Sequence, residues 1–71
     1  MGVDRKAPGH PLSAREREVM GLMVQGLHNR RIAEQLGISP RTVEVHKSRV
    51  MEKLGVANLV DLVRLVDQGR I

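Results

Sequence analysis

One short stretch in the middle of the chain, residues 37–46, constrains the fold more than any other. It reads GISPRTVEVH. Pro40 holds φ near the helical value and lacks an N–H, which is harmless only in the first turn of a helix, and the hydroxyl of Ser39 before it suits an N-cap. The stretch therefore predicts a tight turn at Gly37 that opens directly into a helix at Pro40.

A second helical pattern precedes this turn. Ile32, Ala33 and Leu36 recur at helical spacing, and a turn of three or four residues containing Gly37 joins them to the next helix. Two helices connected in this way form the helix-turn-helix motif, whose second helix enters the major groove of DNA. The first hypothesis is therefore a protein that binds duplex DNA.

The remaining segments complete an all-α fold. Ser13 and Glu16 match the S-x-x-E capping box, and Asn58 is a good N-cap for a last helix. No strand pattern appears, so we expect a compact four-helix bundle with helices at about 13–25, 29–36, 40–54 and 58–67. Residues 1–11 contain two Gly and two Pro without apolar periodicity; we expect a flexible lead-in or linker remnant, followed by one domain over residues 12–71.

Apolar positions at helical spacing predict the core. They are Val19, Leu22, Met23, Ile32, Ala33, Leu36, Val43, Val50, Leu54, Leu59, Leu62, Val63 and Val66. His46 falls on the core side of the third helix, and we expect a partly buried, hydrogen-bonded imidazole. Asn29 is a better cap for the second helix than His28 by side-chain chemistry. Glu16 and Glu18, in the first turn of the first helix, are expected to be solvated charges.

The distribution of charge supports a duplex as the partner. The formal net charge is +4, and residues 29–54 contain six basic and three acidic side chains, a surplus of +3 that suits a phosphate-binding surface. The chain contains no Phe, Tyr or Trp. Proteins that bind single strands usually stack the bases on aromatic rings, so the absence of such rings disfavours that class.

Residue chemistry predicts roles for the face of the third helix opposite its core side. Glu44 suits a cytosine amino group, Val45 a thymine methyl group and Ser48 a base edge. Four further side chains suit backbone phosphates, which fix position without reading sequence: Arg41, Thr42, Lys47 and Arg49. The alternative is that these residues only form the solvated side of an amphipathic helix.

Other chemistries find little support in the sequence. His10, His28 and His46 share no metal-ligand spacing, and the chain has no cysteine, so we expect no metal and no cofactor. No nucleophile has a base at a familiar spacing, and no glycine-rich phosphate loop is present, so we expect no enzymatic activity. The chain shows neither a membrane-spanning apolar run nor a signal peptide, and we expect a cytoplasmic protein.

From residue 12 to about residue 66 the chain resembles the LuxR-type helix-turn-helix domain of the FixJ and NarL class of response regulators. The matching segments are LSAREREVM, GLHNRRIAEQLGISPRTVEVHKSRVMEKLGV and NLVDLVRL. The resemblance implies base contacts from Glu44, Val45 and Ser48, and phosphate contacts near Thr42, Lys47 and Arg49. Members of the family often carry lysine or another donor where this chain has Glu44 and Ser48. The resemblance therefore does not predict which DNA sequence this chain binds.

The last helix has more apolar residues than its attachment to the core requires. The additional ones, among them Val60 and Leu65, suggest a surface that binds a partner. The resemblance implies that this helix forms a two-fold dimer contact on DNA, for which we predict Val60, Arg64 and Leu65. It also implies that the domain is the C-terminal output of a two-component response regulator, with an upstream receiver domain and RNA polymerase as further partners. The alternatives are a free-standing LuxR-type regulator, a basic module that docks on an acidic protein, and a nonspecific architectural DNA binder.

Overall fold

The computed structural model describes residues 12–69, which form four helices and no strand. The helices are α1 (Ala14–Val24), α2 (Asn29–Leu36), α3 (Pro40–Leu54) and α4 (Leu59–Asp67). The predicted all-α fold is confirmed, and each helix bound lies within one residue of its prediction. The predicted lead-in over residues 1–11 lies outside the described residues.

Side-chain caps begin three of the helices. In the capping box of α1, the Ser13 hydroxyl accepts from the Glu16 N–H at 3.1 Å, and the Glu16 carboxylate accepts from the Ser13 N–H at 3.0 Å. Ser39 caps α3 by accepting from the Thr42 N–H at 3.1 Å. Asn58 caps α4 through the Asp61 N–H at 2.9 Å. Each cap satisfies a backbone donor that the first turn of a helix leaves unpaired.

Left-handed glycines end α2 and α3. Gly37 and Gly55 both have φ of 69°, a conformation that costs other residues energy. After each glycine the chain turns back: the Ile38 N–H donates to the Ala33 carbonyl at 3.0 Å, and the Val56 N–H donates to the Met51 carbonyl at 3.1 Å. Ile38 and Val56 thereby pack against the core.

The core lies where α1, α2 and α3 pack against one another, and α4 packs against α1. Its buried apolar members are Val19, Met20, Met23, Ile32, Ala33, Val43, Val50 and Leu62. One predicted core position is wrong: Leu59 is 44% exposed, because it is the first residue of α4 and only the next turn reaches the core. His46 is half-buried as predicted, but its Nδ1 is buried without a hydrogen-bond partner among the described residues. Among residues 12–69, Nδ1 of His46 therefore lacks the predicted hydrogen bond.

Glu16 is not the solvated charge that the sequence predicts. It is 3% exposed, and Lys53 near the end of α3 donates to its carboxylate at 2.8 Å. The hydrogen bond from Lys53, together with that from the Ser13 N–H, holds the pKa of Glu16 below its ordinary value against the opposing effect of burial. Packing of α1 against α3 buries this carboxylate and supplies its cation, so one acid both caps α1 and joins it to α3.

Candidate nucleic-acid interface

The side of α3 opposite the core is open to solvent. Val43 and Val50 point into the core, whereas Val45 is 45% exposed. The other exposed residues of this helix are Pro40, Arg41, Glu44, Ser48, Arg49, Glu52 and Lys53. We call Arg41, Glu44, Val45, Ser48 and Arg49 the exposed face of α3. All three predicted base-contacting residues belong to it.

Short side chains occupy the middle of this face and cations its margins. Val45 and Ser48 are compact, so a groove can approach the helix axis closely there. Arg41 lies one turn before Val45, and Arg49 follows Ser48 directly. Within residues 12–69 neither arginine forms an ion pair with a carboxylate, which leaves both guanidinium groups available to an anion.

The N-terminus of α3 is held by its cap. The hydroxyl groups of Ser39 and Thr42 lie 2.9 Å apart, and the Ser39 hydroxyl already accepts from the Thr42 N–H. When Ser39 donates its own hydrogen to Thr42, the hydroxyl hydrogen of Thr42 stays available for a phosphate oxygen. Thr42, predicted to contact the DNA backbone, is half-buried beside this cap.

Asn29 makes a contact to α3 that the sequence does not predict. Its amide oxygen accepts from the Lys47 ammonium at 2.8 Å, and its amide nitrogen donates to the Glu44 carboxylate at 3.4 Å. The prediction that Asn29 caps α2 is wrong: the N-cap is His28, which makes no side-chain cap hydrogen bond. The side chain of Asn29 instead lies across the interface with α3, because the two charges there offer it both a donor and an acceptor.

Lys47 therefore contacts α2 directly. It is half-buried, and with Asn29 and Arg30 it lines the rim of a surface groove whose apolar lining includes Met51 and Leu59. An ammonium group has three hydrogens, and Asn29 takes one of them. The predicted phosphate contact from Lys47 thus remains geometrically open.

The predicted dimer residues lie on α4 with unequal exposure. Val60 is 62% exposed, Arg64 is exposed, and Leu65 is half-buried. Leu59 is a further exposed aliphatic residue at the start of the helix. The first turn of α4 thus presents two adjacent apolar side chains to solvent.

A metal site needs several ligating side chains close together, and a membrane span needs a long apolar helix. No group of three or more His, Cys, Asp or Glu within residues 12–69 is arranged to hold a metal ion. None of the helices over the same range is both long and apolar enough to cross a membrane. His10, one of the three histidines of the chain, lies outside this range.

Comparison with known proteins reveals a clear family match. Residues 10–66 match the family described as bacterial regulatory proteins, luxR family. Over 50 residues the chain is 63% identical to the C4-dicarboxylate transport transcriptional regulatory protein DctR of Rhodobacter capsulatus, a match covering 70% of this chain and 25% of that protein. Over 54 residues it is 56% identical to the transcriptional regulatory protein FixJ of Azorhizobium caulinodans, covering 76% of this chain and 26% of FixJ.

A solved structure is also similar. The structure titled "Low Resolution Structure of Response Regulator StyR" superposes with a TM-score of 0.80 and 45% identity, over 82% of this chain and 29% of that one. The chain thus spans only about a quarter to a third of the length of the relatives it matches.

Proposed function

The chain belongs to the luxR family of bacterial regulatory proteins as a LuxR-type helix-turn-helix DNA-binding domain, and we propose that it reads promoter DNA with the exposed face of α3. In this proposal Glu44, Val45 and Ser48 contact base edges in the major groove. The backbone phosphates are contacted by Arg41, Thr42, Lys47 and Arg49.

The observation that carries this proposal is the outward orientation of Val45 and Ser48 between two arginines. A helix whose opposite side is anchored in the core by Val43 and Val50 cannot turn that face away. An enzyme needs a nucleophile or a proton acceptor inside a cleft. The proposed face is open to solvent, and its groups suit nucleobases and phosphates. We accordingly assign the chain no catalysis, and we place it in the cytoplasm with the DNA that it binds.

The domain is proposed to occupy DNA as a homodimer through α4. Val60, Arg64 and Leu65 supply an apolar patch with a cation, and two copies related by a two-fold axis bury the same patch on each other. Such a pair reads two half-sites about one helical turn apart. DNA supplies the effective concentration, so the free domain is expected to self-associate only weakly.

Within a longer protein the domain is proposed to act as the output of a two-component response regulator. The relatives reported above are three to four times longer than the matched segment, and one similar structure is titled a response regulator. An upstream receiver would then hide or release the exposed face of α3 according to its phosphorylation, and RNA polymerase would be a further partner at the promoter.

Selection of bound duplexes from a random pool tests the proposed function. We expect a defined sequence motif arranged as an inverted repeat, bound with an affinity that decreases steeply as salt increases. Absence of any duplex binding at low salt would refute the proposal and favour a basic module that docks on an acidic protein. A salt dependence without a sequence preference would instead indicate an architectural DNA binder.

A further inference from the structure

The amide of Asn29 lies between two oppositely charged side chains of α3. Its oxygen accepts from the Lys47 ammonium at 2.8 Å, and its nitrogen donates to the Glu44 carboxylate at 3.4 Å. Asn29 is the first residue of α2, whereas Glu44 and Lys47 both lie on α3. This contact joins the two helices of the motif on the side where bases and phosphates are expected.

Without a third group the two charges have an obvious alternative partner, which is each other. Glu44 and Lys47 are three residues apart on one helix, a spacing at which opposite charges pair. The amide of Asn29 offers an acceptor to the cation and a donor to the carboxylate, and only one orientation of the amide satisfies both. It therefore competes with a direct ion pair in which both charges would be occupied.

We propose that Asn29 is a positioning residue that sets base specificity through Glu44, an inference that rests on the proposed function. Asn29 restrains the carboxylate of Glu44 to one position, from which it can accept a hydrogen bond from the amino group of a base in the major groove of DNA. Two of the three ammonium hydrogens of Lys47 remain for phosphate. Restraint before binding lowers the cost of ordering these side chains on DNA.

The test uses the duplex recovered from the random pool and its variants with single base-pair substitutions. Glu44→Ala identifies the base pair that Glu44 reads as the one where preference changes. Asn29→Ala should then lower affinity for the selected duplex by about fivefold to tenfold, and it should reduce preference at that same base pair while leaving the preference at others unchanged. In a Glu44→Ala background, Asn29→Ala should cause no further loss of preference, since the two residues act as one unit.

Two more variants separate positioning from general stability. Gln35→Ala removes an exposed amide from the same helix and should change neither affinity nor preference. Asn29→Asp keeps an acceptor for Lys47 and suits the first turn of a helix, but it cannot donate to Glu44 when ionised. It should therefore lose preference at the Glu44 base pair while its circular dichroism and unfolding temperature stay close to those of the unchanged protein.

The outcomes distinguish this inference from the function on which it rests. If a sequence motif is selected but Asn29→Ala and Asn29→Asp keep full preference at the Glu44 base pair, the role of Asn29 is overturned and duplex recognition stands. The role of Asn29 is likewise overturned if Glu44→Ala alters no base preference, or if Asn29→Ala weakens all duplexes equally. If no duplex is bound at all, both proposals fall together.

Discussion

Individual side chains on the exposed face of α3 fall into two proposed groups, those that contact bases and those that contact phosphates. Val45 and Ser48 are short and lie in the middle, where close approach is needed. Arg41 and Arg49 are long, and a guanidinium binds phosphate oxygens without distinguishing the bases between them. Substitutions on this one face should therefore have two different signatures.

Arg49→Ala should weaken binding to all duplexes by a similar factor. Loss of one phosphate contact should also reduce the slope of log affinity against log salt by about 1. Fluorescence anisotropy with a selected and a scrambled duplex at several salt concentrations measures both effects. Arg31→Ala is the matched control, because Arg31 is an exposed cation that pairs with Glu34 on α2. An effect of Arg49→Ala confined to the selected duplex would argue against a phosphate contact.

Ser48→Ala should instead change which base is preferred at one position. Loss of a direct hydrogen bond to a base edge should lower discrimination there by about 1 to 3 kcal/mol, with little change in the affinity for a scrambled duplex. Competition binding against a panel of duplexes with single base-pair substitutions provides the measurement. An unaltered preference at every position would exclude Ser48 from base recognition.

Between elements, Glu16 and Lys53 form an ion pair that joins α1 to α3. The carboxylate lies in the first turn of α1 and the ammonium near the end of α3, 37 residues later in the chain. The pKa of Glu16 is lowered mainly by the hydrogen bond from Lys53. The unfolded chain, in which this glutamate has its ordinary pKa, therefore takes up a proton before the folded one does as pH falls.

Glu16→Gln should lower the free energy of unfolding at pH 7 by roughly 1 kcal/mol, because it keeps the cap acceptor but removes the charge that Lys53 binds. The ionised carboxylate stabilises the fold fully above about pH 5; its contribution decreases below the ordinary pKa and is lost below the folded-state pKa. Urea unfolding at pH 7 and at pH 3 should show the difference between the two proteins shrinking in acid. Glu18→Gln, an exposed neighbour paired with Arg15, should show a much smaller difference at pH 7. A difference independent of pH would contradict this account.

We expect the contact between α2 and α3 to depend on a small residue. Ala33 is 3% exposed, and its carbonyl accepts the hydrogen bond that ends α2. Ala33→Leu should overpack this contact and lower the free energy of unfolding by about 1 to 3 kcal/mol. Thermal and urea unfolding measure the loss, with Ala14→Leu at an exposed position of α1 as the control. Equal stability of the two variants would show that the helices have room to move apart.

At the scale of the whole molecule, the exposed face of α3 and the exposed side chain of Val60 lie on different helices. One core supports both, so a change on α4 can alter assembly without altering the contact of each copy with its half-site. This separation makes the proposed dimer testable without disturbing recognition.

Val60→Glu should abolish cooperative binding to an inverted repeat while leaving affinity for a single half-site nearly unchanged. Two like charges would face each other across the two-fold axis, and exposed apolar area would be lost from the contact. Mobility-shift titrations on one and two half-sites separate these effects. Gln35→Glu adds the same charge at an exposed site of α2 and should retain cooperativity. A tight dimer of the unaltered domain without DNA would contradict the proposed weak self-association.

The sequence alone determined the elements, because the signals that begin and end these helices are local. Pro40 with Ser39, the Ser13 capping box, Asn58, Gly37 and Gly55 each act within a few residues of themselves, and apolar spacing then assigned most of the core. The exposed face of α3 could be predicted for the same reason, because it is the side of a single helix that does not pack into the core.

Only the tertiary structure decided which residues of different helices meet. Glu16 became a buried partner of Lys53, and Asn29 became a bridge between Glu44 and Lys47 instead of a cap. Leu59 is exposed because α4 reaches the core only with its second turn. These contacts join residues 15 to 37 positions apart in the chain, and they depend on how the helices pack, a geometry that no local pattern in the chain encodes.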